Sequence, residues 1–317
     1  MFDSNLSIDP EALRTFIAVA QLRSFSAAAQ LLSKTTSAVS YRVKSLEDHL
    51  GVQLFQRTTR SVSLTPAGEL LLEKASQIFE WLAGLPEELK QVRDGVEIQF
   101  TLIINNLLYD AEALGLLLTH LHDRFPFTKL KVRWAVYMGV WDMMLHGGGQ
   151  FAIGAPGFHT ISDDFVAEPL GIINWVFVVA PGHPPTRVEE PLLDDHLRLY
   201  HVINIEDTSI SLSKRTAWRL PGQPEILVPD LPAKMACHVQ GLGVGFLPVI
   251  VAQEALASNR LVERAVVSAR SPSPQSLAWR RKGAGKVTEH LRALCHARDP
   301  LVAPFLRALD QDPVDGN

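Results

Sequence analysis

Apolar positions near the start of the chain recur every three or four residues, which predicts an amphipathic helix. Asp9 can cap this helix, and Pro10 suits its first turn because a helix start leaves its amide hydrogens unpaired. Residues 21–24 break the pattern, so the helix should end there. The apolar face consists of Leu13, Phe16, Ile17 and Ala20.

Two further helices are predicted before the first clear stop signal. The second covers residues 27–32 behind a Ser26 cap, and its consecutive alanines would allow another helix to approach closely. The third begins at a cap on Thr35 or Thr36 and runs to about residue 50, where Gly51 should end it. The positions expected to face inward are Val39, Val43, Leu46 and Leu50.

The opposite face of the third helix carries hydrogen-bonding and basic side chains instead. Free backbone amides at a helix start also favour phosphate. A short helix, a tight turn and a third helix with a polar outer face are typical of a helix-turn-helix, which lays that helix in the major groove of DNA. An unrelated three-helix domain is the alternative. The outer face consists of Thr36, Ser37, Ser40, Tyr41 and Lys44.

A basic turn follows, between two short apolar segments at residues 52–55 and 62–64. This pattern predicts a two-stranded wing that contacts the phosphate backbone or the minor groove. Residues 34–60 carry a net charge of +3 on a chain of −4, so the remainder is −7. A local basic region favours a DNA-binding domain attached to a larger sensor, although a solvated charged face would also account for it. The predicted DNA contacts are Lys34, Thr35, Thr36, Ser37, Ser40, Tyr41, Lys44, Arg57 and Arg60.

Residues 66–94 form a predicted connector helix with apolar residues at alternating steps of four and three. Such a heptad seam favours pairing with another helix, and hence a homodimer; a single amphipathic helix on its own domain is the alternative. Pro86 should kink the helix or restart it near Gly84. The seam consists of Leu71, Ala75, Ile78, Leu82, Leu85, Leu89 and Val92.

Beyond residue 97 the pattern changes to alternating strands and helices, which predicts an α/β domain with parallel sheets covered by helices. Helices are expected at 111–124 and 286–297. Candidate strands are residues 99–104, 130–136, 151–153, 173–180, 202–205, 226–228, 244–247 and 276–279. The glycines at 241–245 precede a strand, so we interpret them as a tight helix-to-strand turn rather than a phosphate loop.

The segments LRTFIAVAQLRSFSAAAQLL and TTSAVSYRVKSLEDHLGVQLFQRTTRSVSLTPAG resemble the N-terminal domain of LysR-type transcriptional regulators. Thr36-Ser37 and Tyr41 differ from the usual residues of that family, so its base preference is not carried over. The resemblance implies a winged helix-turn-helix at 8–65, a dimerising linker helix at 66–94 and an effector-binding domain at 97–317. It further implies two subdomains like those of a periplasmic binding protein, about 97–168 plus 270–317 and about 169–269.

Small ligands of such sheets bind at the carboxyl ends of strands. This rule selects Thr208 and Ser209, whose hydroxyls suit a carboxylate or amide. It also selects Asn105 and Asn106, which a simple turn would equally explain, and Trp141, which we favour slightly as a core residue. The full set of predicted effector contacts is Asn105, Asn106, Tyr137, Trp141, Thr208, Ser209, Phe246 and Pro248.

The sequence offers no credible catalytic constellation. Ser211 and Lys214 have the S-x-x-K spacing of acylating enzymes, but the companion motifs are missing. His120 and His122 are too close along a helix for the usual metal geometry. We therefore expect no enzyme activity, cofactor or metal; a cytoplasmic enzyme or solute-binding protein, with an N-terminal domain that only mediates assembly, is the other hypothesis.

Two cysteines in 317 residues, no basic apolar leader and no apolar run of membrane length predict a cytoplasmic protein without a membrane segment. Within the family, segments 101–110, 137–145, 202–230 and 271–286 resemble activators of allantoin utilisation. Regulators of purine-nucleoside uptake are the alternative. The resemblance implies promoter DNA, a purine-catabolic metabolite and RNA polymerase as partners. It also implies that the chain pairs with itself in a homodimer or homotetramer.

Overall fold

The computed structural model describes residues 8–57, 62–215 and 217–310. The chain divides into two compact units, Met1–Lys90 and Gln91–Asn317. Within the described ranges, no helix is long and apolar enough to cross a bilayer.

The N-terminal unit is a three-helix domain followed by a two-stranded hairpin and the start of a long helix. Its elements are α1 (Pro10–Leu22), α2 (Phe25–Leu31), α3 (Thr36–Leu50), β1 (Phe55–Arg57), β2 (Val62–Leu64) and α4 (Pro66–Arg93). The strands pair antiparallel, with Phe55 opposite Leu64. The predicted winged arrangement is therefore present, although β1 lies further along the chain than the expected 52–55.

Side-chain caps fix where these helices begin. The Asp9 carboxylate accepts the Glu11 amide, and Thr35 rather than Thr36 caps α3 by accepting the Ala38 amide. The prediction of Ser26 as the cap of α2 was wrong. Ser24 has the extended backbone of a cap and its hydroxyl accepts the Ala27 amide, so Ser26 falls inside the first turn.

The core of this unit is built from the inward faces of all three helices. Phe16, Val19, Val39 and Val43 are fully buried, whereas the predicted Leu50 is only partly so. Glu47 is buried among them because its Oε1 accepts the backbone amides of Leu54 and Phe55, at 2.8 and 3.2 Å. This carboxylate ties the end of α3 to the start of the hairpin.

Helix α4 is continuous through Pro86, so the proline does not restart it near Gly84 as the sequence suggested. The missing amide removes only one hydrogen bond from a helix of 28 residues. Ala75 and Leu71 pack on the core of the N-terminal unit. The later seam positions Ile78, Leu82 and Leu89 are exposed in the single chain. The seam thus has two parts, one packed on the N-terminal core and one exposed.

The C-terminal unit contains a five-stranded sheet and two smaller sheets. Its strands are β3 (Gln99–Asn105), β4 (Lys129–Ala135), β5 (Phe151–Pro156), β6 (Phe165–Ile173), β7 (Trp175–Val179), β8 (Val202–Ile205), β9 (Glu225–Val228), β10 (Gly245–Pro248), β11 (Val262–Glu263) and β12 (Ser273–Arg280). Its helices are α5 (Ala111–Arg124), α6 (Met138–Leu145), α7 (Asp194–Leu197), α8 (Leu231–Val239), α9 (Val249–Ala257), α10 (Lys286–Ala297) and α11 (Ala303–Leu306).

The large sheet has the strand order β4-β3-β5-β12-β6 and forms the first subdomain. Strands β3, β4 and β5 are parallel, but β12 runs antiparallel to both of its neighbours. The expectation of parallel sheets was therefore right for β3, β4 and β5 and wrong for β12. The reason is that β12 comes from the far end of the chain and enters the sheet against the direction of β5.

The second subdomain is built on β7, which lies between β10 and β11 and is antiparallel to both, and on the parallel pair β8 and β9. The chain passes between the subdomains at Asn174 and again between β11 and β12. Gly241 has a positive φ of 72° between α8 and β10, which confirms the interpretation of the glycine run as a tight turn.

Candidate functional site

The outer face of α3 is largely exposed to solvent. Thr36, Ser37, Tyr41 and Lys44 are exposed, and Ser40 is half-buried. Tyr41 is 76% exposed, which is high for an aromatic side chain. The inward face of the same helix is fully packed, so its orientation is fixed while its polar face stays available to a partner.

Lys34 and Arg42 lie beside this face but are already paired. Both contact Glu11 Oε2, Lys34 Nζ at 2.6 Å and Arg42 Nη1 at 2.9 Å. The hydrogen bond and charge of Lys34 lower the pKa of Glu11, and Arg42 adds to the effect. The Glu11 carboxylate thus partly neutralises two of the basic groups near α3.

The wing is described only in part. Arg57 ends β1, whereas Arg60 lies outside the described residues, as does the tip of the turn. Thr35, another predicted DNA contact, shares a hydrogen bond with Ser37 and caps α3. The structure therefore brings together six predicted contacts, Thr35, Thr36, Ser37, Ser40, Tyr41 and Lys44, around one helix.

The C-terminal unit has a cavity of about 320 Å³ where the two crossing segments pass between its subdomains. Two of the predicted effector contacts, Asn105 and Tyr137, line it. Asn105 is held rigidly, because its amide donates to Gly154 O and to Gln275 Oε1. Only these two of the eight residues selected by the strand-end rule line this cavity.

Arg270, which the sequence analysis did not select, is the most constrained cation of this cavity. Its guanidinium lies 3.4 Å from the ring centre of Trp175, and Nη2 donates to the Tyr137 hydroxyl at 3.1 Å. Arg270 lies in the crossing segment between β11 and β12, and Trp175 is the first residue of β7. A rule that selects the carboxyl ends of strands could therefore find neither of them. Arg215 lies on the same cavity.

The segment after β8 is docked on the first subdomain through Asp207. This buried carboxylate accepts the amides of Met138 and Gly139 at the start of α6, and those of Ser209 and Arg215 in its own segment. It acts as a helix cap supplied by the other subdomain.

Thr208 and Ser209, both predicted effector contacts, are used inside this docked segment. The Val136 amide donates to Thr208 Oγ1 at 2.9 Å, and the Ser209 hydroxyl donates to Leu212 O at 2.9 Å. A Cβ atom on Gly139 would lie 2.0 Å from Thr208 Oγ1. The close approach therefore depends on that glycine.

Asp142 reinforces the docking from α6. Its Oδ2 accepts the backbone amides of Ile210 and Ser211, at 2.6 and 2.9 Å. Burial alone would raise the pKa of Asp142, but the hydrogen bonds from Ser211 and Ile210 hold it below its ordinary value. The carboxylate stays ionised and the two subdomains are hydrogen-bonded together.

The remaining predicted effector contacts lie elsewhere. Trp141 is fully buried and donates to Pro156 O, which agrees with a core residue. Phe246 packs against Phe177 and Trp218 in the core of the second subdomain. Pro248 is buried at the end of β10.

Asn106 lines a second cavity of about 560 Å³. Its walls are mainly apolar, including Trp134, Met235 and Ile250, and Arg260 also lies there. The Asn106 Oδ1 atom is buried without a hydrogen-bond partner among the described residues. Because Leu107 lines both cavities, the two lie on either side of the same turn.

The catalytic look-alikes are accounted for by structure. Lys214 pairs with the exposed Glu206, and His120 stacks on His290 with 2.8 Å between their Nε2 atoms. Across the described residues, no group of three or more potential metal ligands is found.

Two family models match the chain. One is the bacterial regulatory helix-turn-helix protein of the lysR family, over residues 10–69, and the other is the LysR substrate binding domain, over residues 109–300. The first match covers all of α1, α2 and α3, and the second covers most of the residues that line the two cavities.

Curated relatives align with nearly the whole chain. The HTH-type transcriptional activator AllS of Salmonella typhimurium is 48% identical over 298 residues, which is 94% of this chain and 97% of that protein. The HTH-type transcriptional regulator PunR of Escherichia coli is 30% identical over 309 residues, 96% and 98% of the two chains. Among solved structures, a Corynebacterium glutamicum OxyR C206 mutant matches with a TM-score of 0.54 at 21% identity, covering 95% of this chain and 93% of that one.

Proposed function

The chain belongs to the LysR family of bacterial DNA-binding regulators, and from this premise we propose that it activates genes of allantoin and purine catabolism in response to a small metabolite. The observation that carries the DNA-binding half is the outer face of α3. Its inward side is locked into the core, while Ser37, Tyr41 and Lys44 are exposed and take no part in that core.

On this proposal α3 enters the major groove, and Ser37, Ser40, Tyr41 and Lys44 contact base edges. Thr35 and Thr36 lie at the helix start, where backbone amides favour phosphate. Lys34, Arg57 and Arg60 contact the phosphate backbone. Base contacts decide sequence preference, whereas phosphate contacts add affinity for every sequence.

The exposed part of α4 supports a homodimer, and two such dimers would form a tetramer. Ile78, Leu82 and Leu89 continue the heptad seam beyond the N-terminal core and are 47%, 41% and 62% exposed. Two copies of α3 on a twofold axis would read two half-sites, and a change in the C-terminal unit would alter their spacing and contact with RNA polymerase.

The pathway is supported by the difference between the two curated relatives. Identity to AllS is 48%, whereas identity to PunR is 30% over a similar length. This difference, together with the segments that resemble activators of allantoin utilisation, favours allantoin catabolism over purine-nucleoside uptake. The second pathway remains the alternative function.

Fluorescence anisotropy with the promoter of the organism's own allantoin genes tests the DNA half. Ser40→Ala should relax base preference, with each lost contact worth about 1–3 kcal/mol. Lys44→Ala should weaken binding, and the logarithm of affinity should fall linearly with the logarithm of salt concentration. An affinity indifferent to salt, or a Ser40→Ala variant with unchanged preference, would contradict this orientation of α3.

Expression of the allantoin genes in a deletion strain tests the pathway. Loss of induction by allantoin, restored by the wild-type gene, is the expected result. Normal induction of those genes together with lost induction of purine-nucleoside uptake genes would transfer the function to the alternative pathway.

A further inference from the structure

The cavity between the crossing segments contains positive charge without matching negative charge. Arg215 and Arg270 line it, and no aspartate or glutamate is among its described lining residues. Neither arginine forms an ion pair within the part of the chain that the structure describes. Arg198, Arg219 and Arg264 of the same subdomain, by contrast, are all paired with carboxylates.

The guanidinium of Arg270 is held in position, but one of its nitrogen atoms lacks a hydrogen-bond acceptor among the described residues. The Trp175 ring and the Tyr137 hydroxyl hold its guanidinium from two sides. Its Nη1 atom is buried and has no hydrogen-bond partner among the described residues. A buried charged donor without an acceptor is costly, so the arrangement is one that a bound acceptor would complete.

A third cation strengthens the positive field behind Arg270. Lys234 of α8 is 3% exposed, and burial together with the charge of Arg270 lowers its pKa to about 7. Glu225 opposes this shift, but its carboxylate already accepts from Arg219 and from the Asn204 amide. An anion in the cavity would offset the repulsion between Lys234 and Arg270.

We propose that the effector is a small organic carboxylate whose carboxylate group is bound by Arg270 and Arg215. Arginine holds a carboxylate through two parallel hydrogen bonds, which gives both strength and orientation. The Gln275 amide, which makes only one long hydrogen bond through Nε2, is the neighbouring donor for the polar remainder of the ligand. A volume of about 320 Å³ limits the ligand to metabolite size. This inference rests on the proposed role of the C-terminal unit in effector binding.

The position of Arg270 links ligand binding to both subdomains. Tyr137 belongs to the first subdomain, and Arg270 itself lies in the second crossing segment. A carboxylate on this guanidinium is therefore bound by the segment that connects the subdomains, not by one of them alone.

Isothermal titration calorimetry of the full-length protein, with carboxylate ligands and a neutral ligand, tests the proposal. Allantoate, ureidoglycolate and glyoxylate carry a carboxylate, whereas allantoin is neutral. At least one of the carboxylates should bind at millimolar concentration or below, and more tightly than allantoin. Arg270→Gln should lower its affinity by roughly 30-fold or more, the scale of removing one partner from a buried charge pair. Arg215→Gln should lower it by a smaller factor, because Arg215 is exposed and its charge is screened by solvent.

Two control variants decide between a specific site and a general effect. Arg270→Lys keeps the charge but loses the paired hydrogen bonds, so it should recover only part of the affinity. Arg260→Gln removes an arginine that lines the larger cavity, and it should leave affinity unchanged. Because Arg215 is exposed, its variant should fold normally even if the loss of Arg270 disturbs packing on Trp175.

Tighter binding of allantoin than of every carboxylate would overturn the proposal. So would an unchanged affinity in both glutamine variants, or a loss confined to Arg260→Gln. Promoter binding by the same preparations separates this result from the proposed function. If the wild-type protein binds the promoter but the arginine variants keep their ligand affinity, only the proposed ligand class is wrong. If the wild-type protein does not bind the promoter, the proposed function itself fails.

Discussion

The two units of the chain use polar side chains in opposite ways. On α3 the polar residues Ser37, Tyr41 and Lys44 are exposed and leave the fold unaffected, because the packing of that helix depends on its other face. In the C-terminal unit the polar residues Asp207 and Thr208 join the two subdomains. Removing one of these side chains should therefore affect DNA binding alone on the outer face of α3, and stability as well where Asp207 and Thr208 join the subdomains.

The largest effect that this comparison predicts is for Asp207→Ala. Four backbone amides would lose their acceptor, two of them at the start of α6. Each buried unpaired donor costs about 1–3 kcal/mol, so unfolding free energy should fall by about 3 kcal/mol or more, measured by urea denaturation. Glu206→Ala is the control, because its pair with Lys214 is exposed and should be worth less than about 1 kcal/mol. Equal effects of the two variants would contradict the docking role of Asp207.

Two glycine substitutions test how closely Thr208 approaches α6. In Gly139→Ala the added methyl group would meet Thr208 Oγ1 at 2.0 Å, so the docked segment must move and stability should fall by about 2 kcal/mol. Gly115→Ala adds the same group to helix α5, where nothing lies within 4 Å, and should stabilise by about 0.5–1 kcal/mol. Thermal unfolding monitored by circular dichroism measures both. Shifts of the same sign would show that the approach of Thr208 to α6 is not tight.

Lys234→Met tests a lysine whose burial in the C-terminal unit lowers the free energy of unfolding. The pKa of Lys234 is lowered from 10.5 to about 7, so between these values the unfolded chain binds more protons than the folded one. The contribution of this lysine to stability therefore rises with pH across that window and is least favourable below pH 7. Relative to wild type, Lys234→Met should gain a few kcal/mol at pH 7 and less at pH 9, as measured by urea denaturation. A difference that does not change with pH would contradict this assignment.

The smallest expected effect is for Glu11→Gln in the first unit. The substitution releases Lys34 and Arg42 from their shared carboxylate, so both become available to phosphate. DNA affinity should rise a few-fold with a steeper dependence on salt, as measured by fluorescence anisotropy. Glu73→Gln is the control, because it removes an exposed glutamate of α4 that pairs with Lys74 instead. Unchanged affinity in Glu11→Gln would show that Lys34 and Arg42 do not approach DNA.

The sequence predicted α5, α10 and the end of α3 well because each is specified locally. The expected bounds of 111–124 and 286–297 are those of α5 and α10, and Gly51 ends α3 as expected, with a positive φ of 68°. Strand β6 was missed because Pro169 and Gly171 interrupt its apolar pattern. Its place in the sheet is set by β12, a partner more than 100 residues away in sequence, which no local pattern reveals.

The cavity was less predictable for a related reason. A strand-end rule finds polar residues near the edge of a sheet, but it cannot tell a residue that lines a cavity, such as Tyr137, from a structural contact such as Thr208. Arg270 lies in the second crossing segment and Trp175 begins β7 directly after the first one, so their contact becomes visible only in the folded structure. On α3, by contrast, helical periodicity alone separates the buried face from the open one.

Tyr137 also bears on how this protein can evolve. Its backbone has φ 48° and ψ −125°, a conformation that suits glycine and costs other residues about 1–3 kcal/mol. In a mutational library selected only for thermal stability, Tyr137→Gly should therefore be enriched, although it removes the hydroxyl that supports Arg270. Selection for regulation should reverse that enrichment, so the stability optimum and the functional optimum of this position lie at different amino acids.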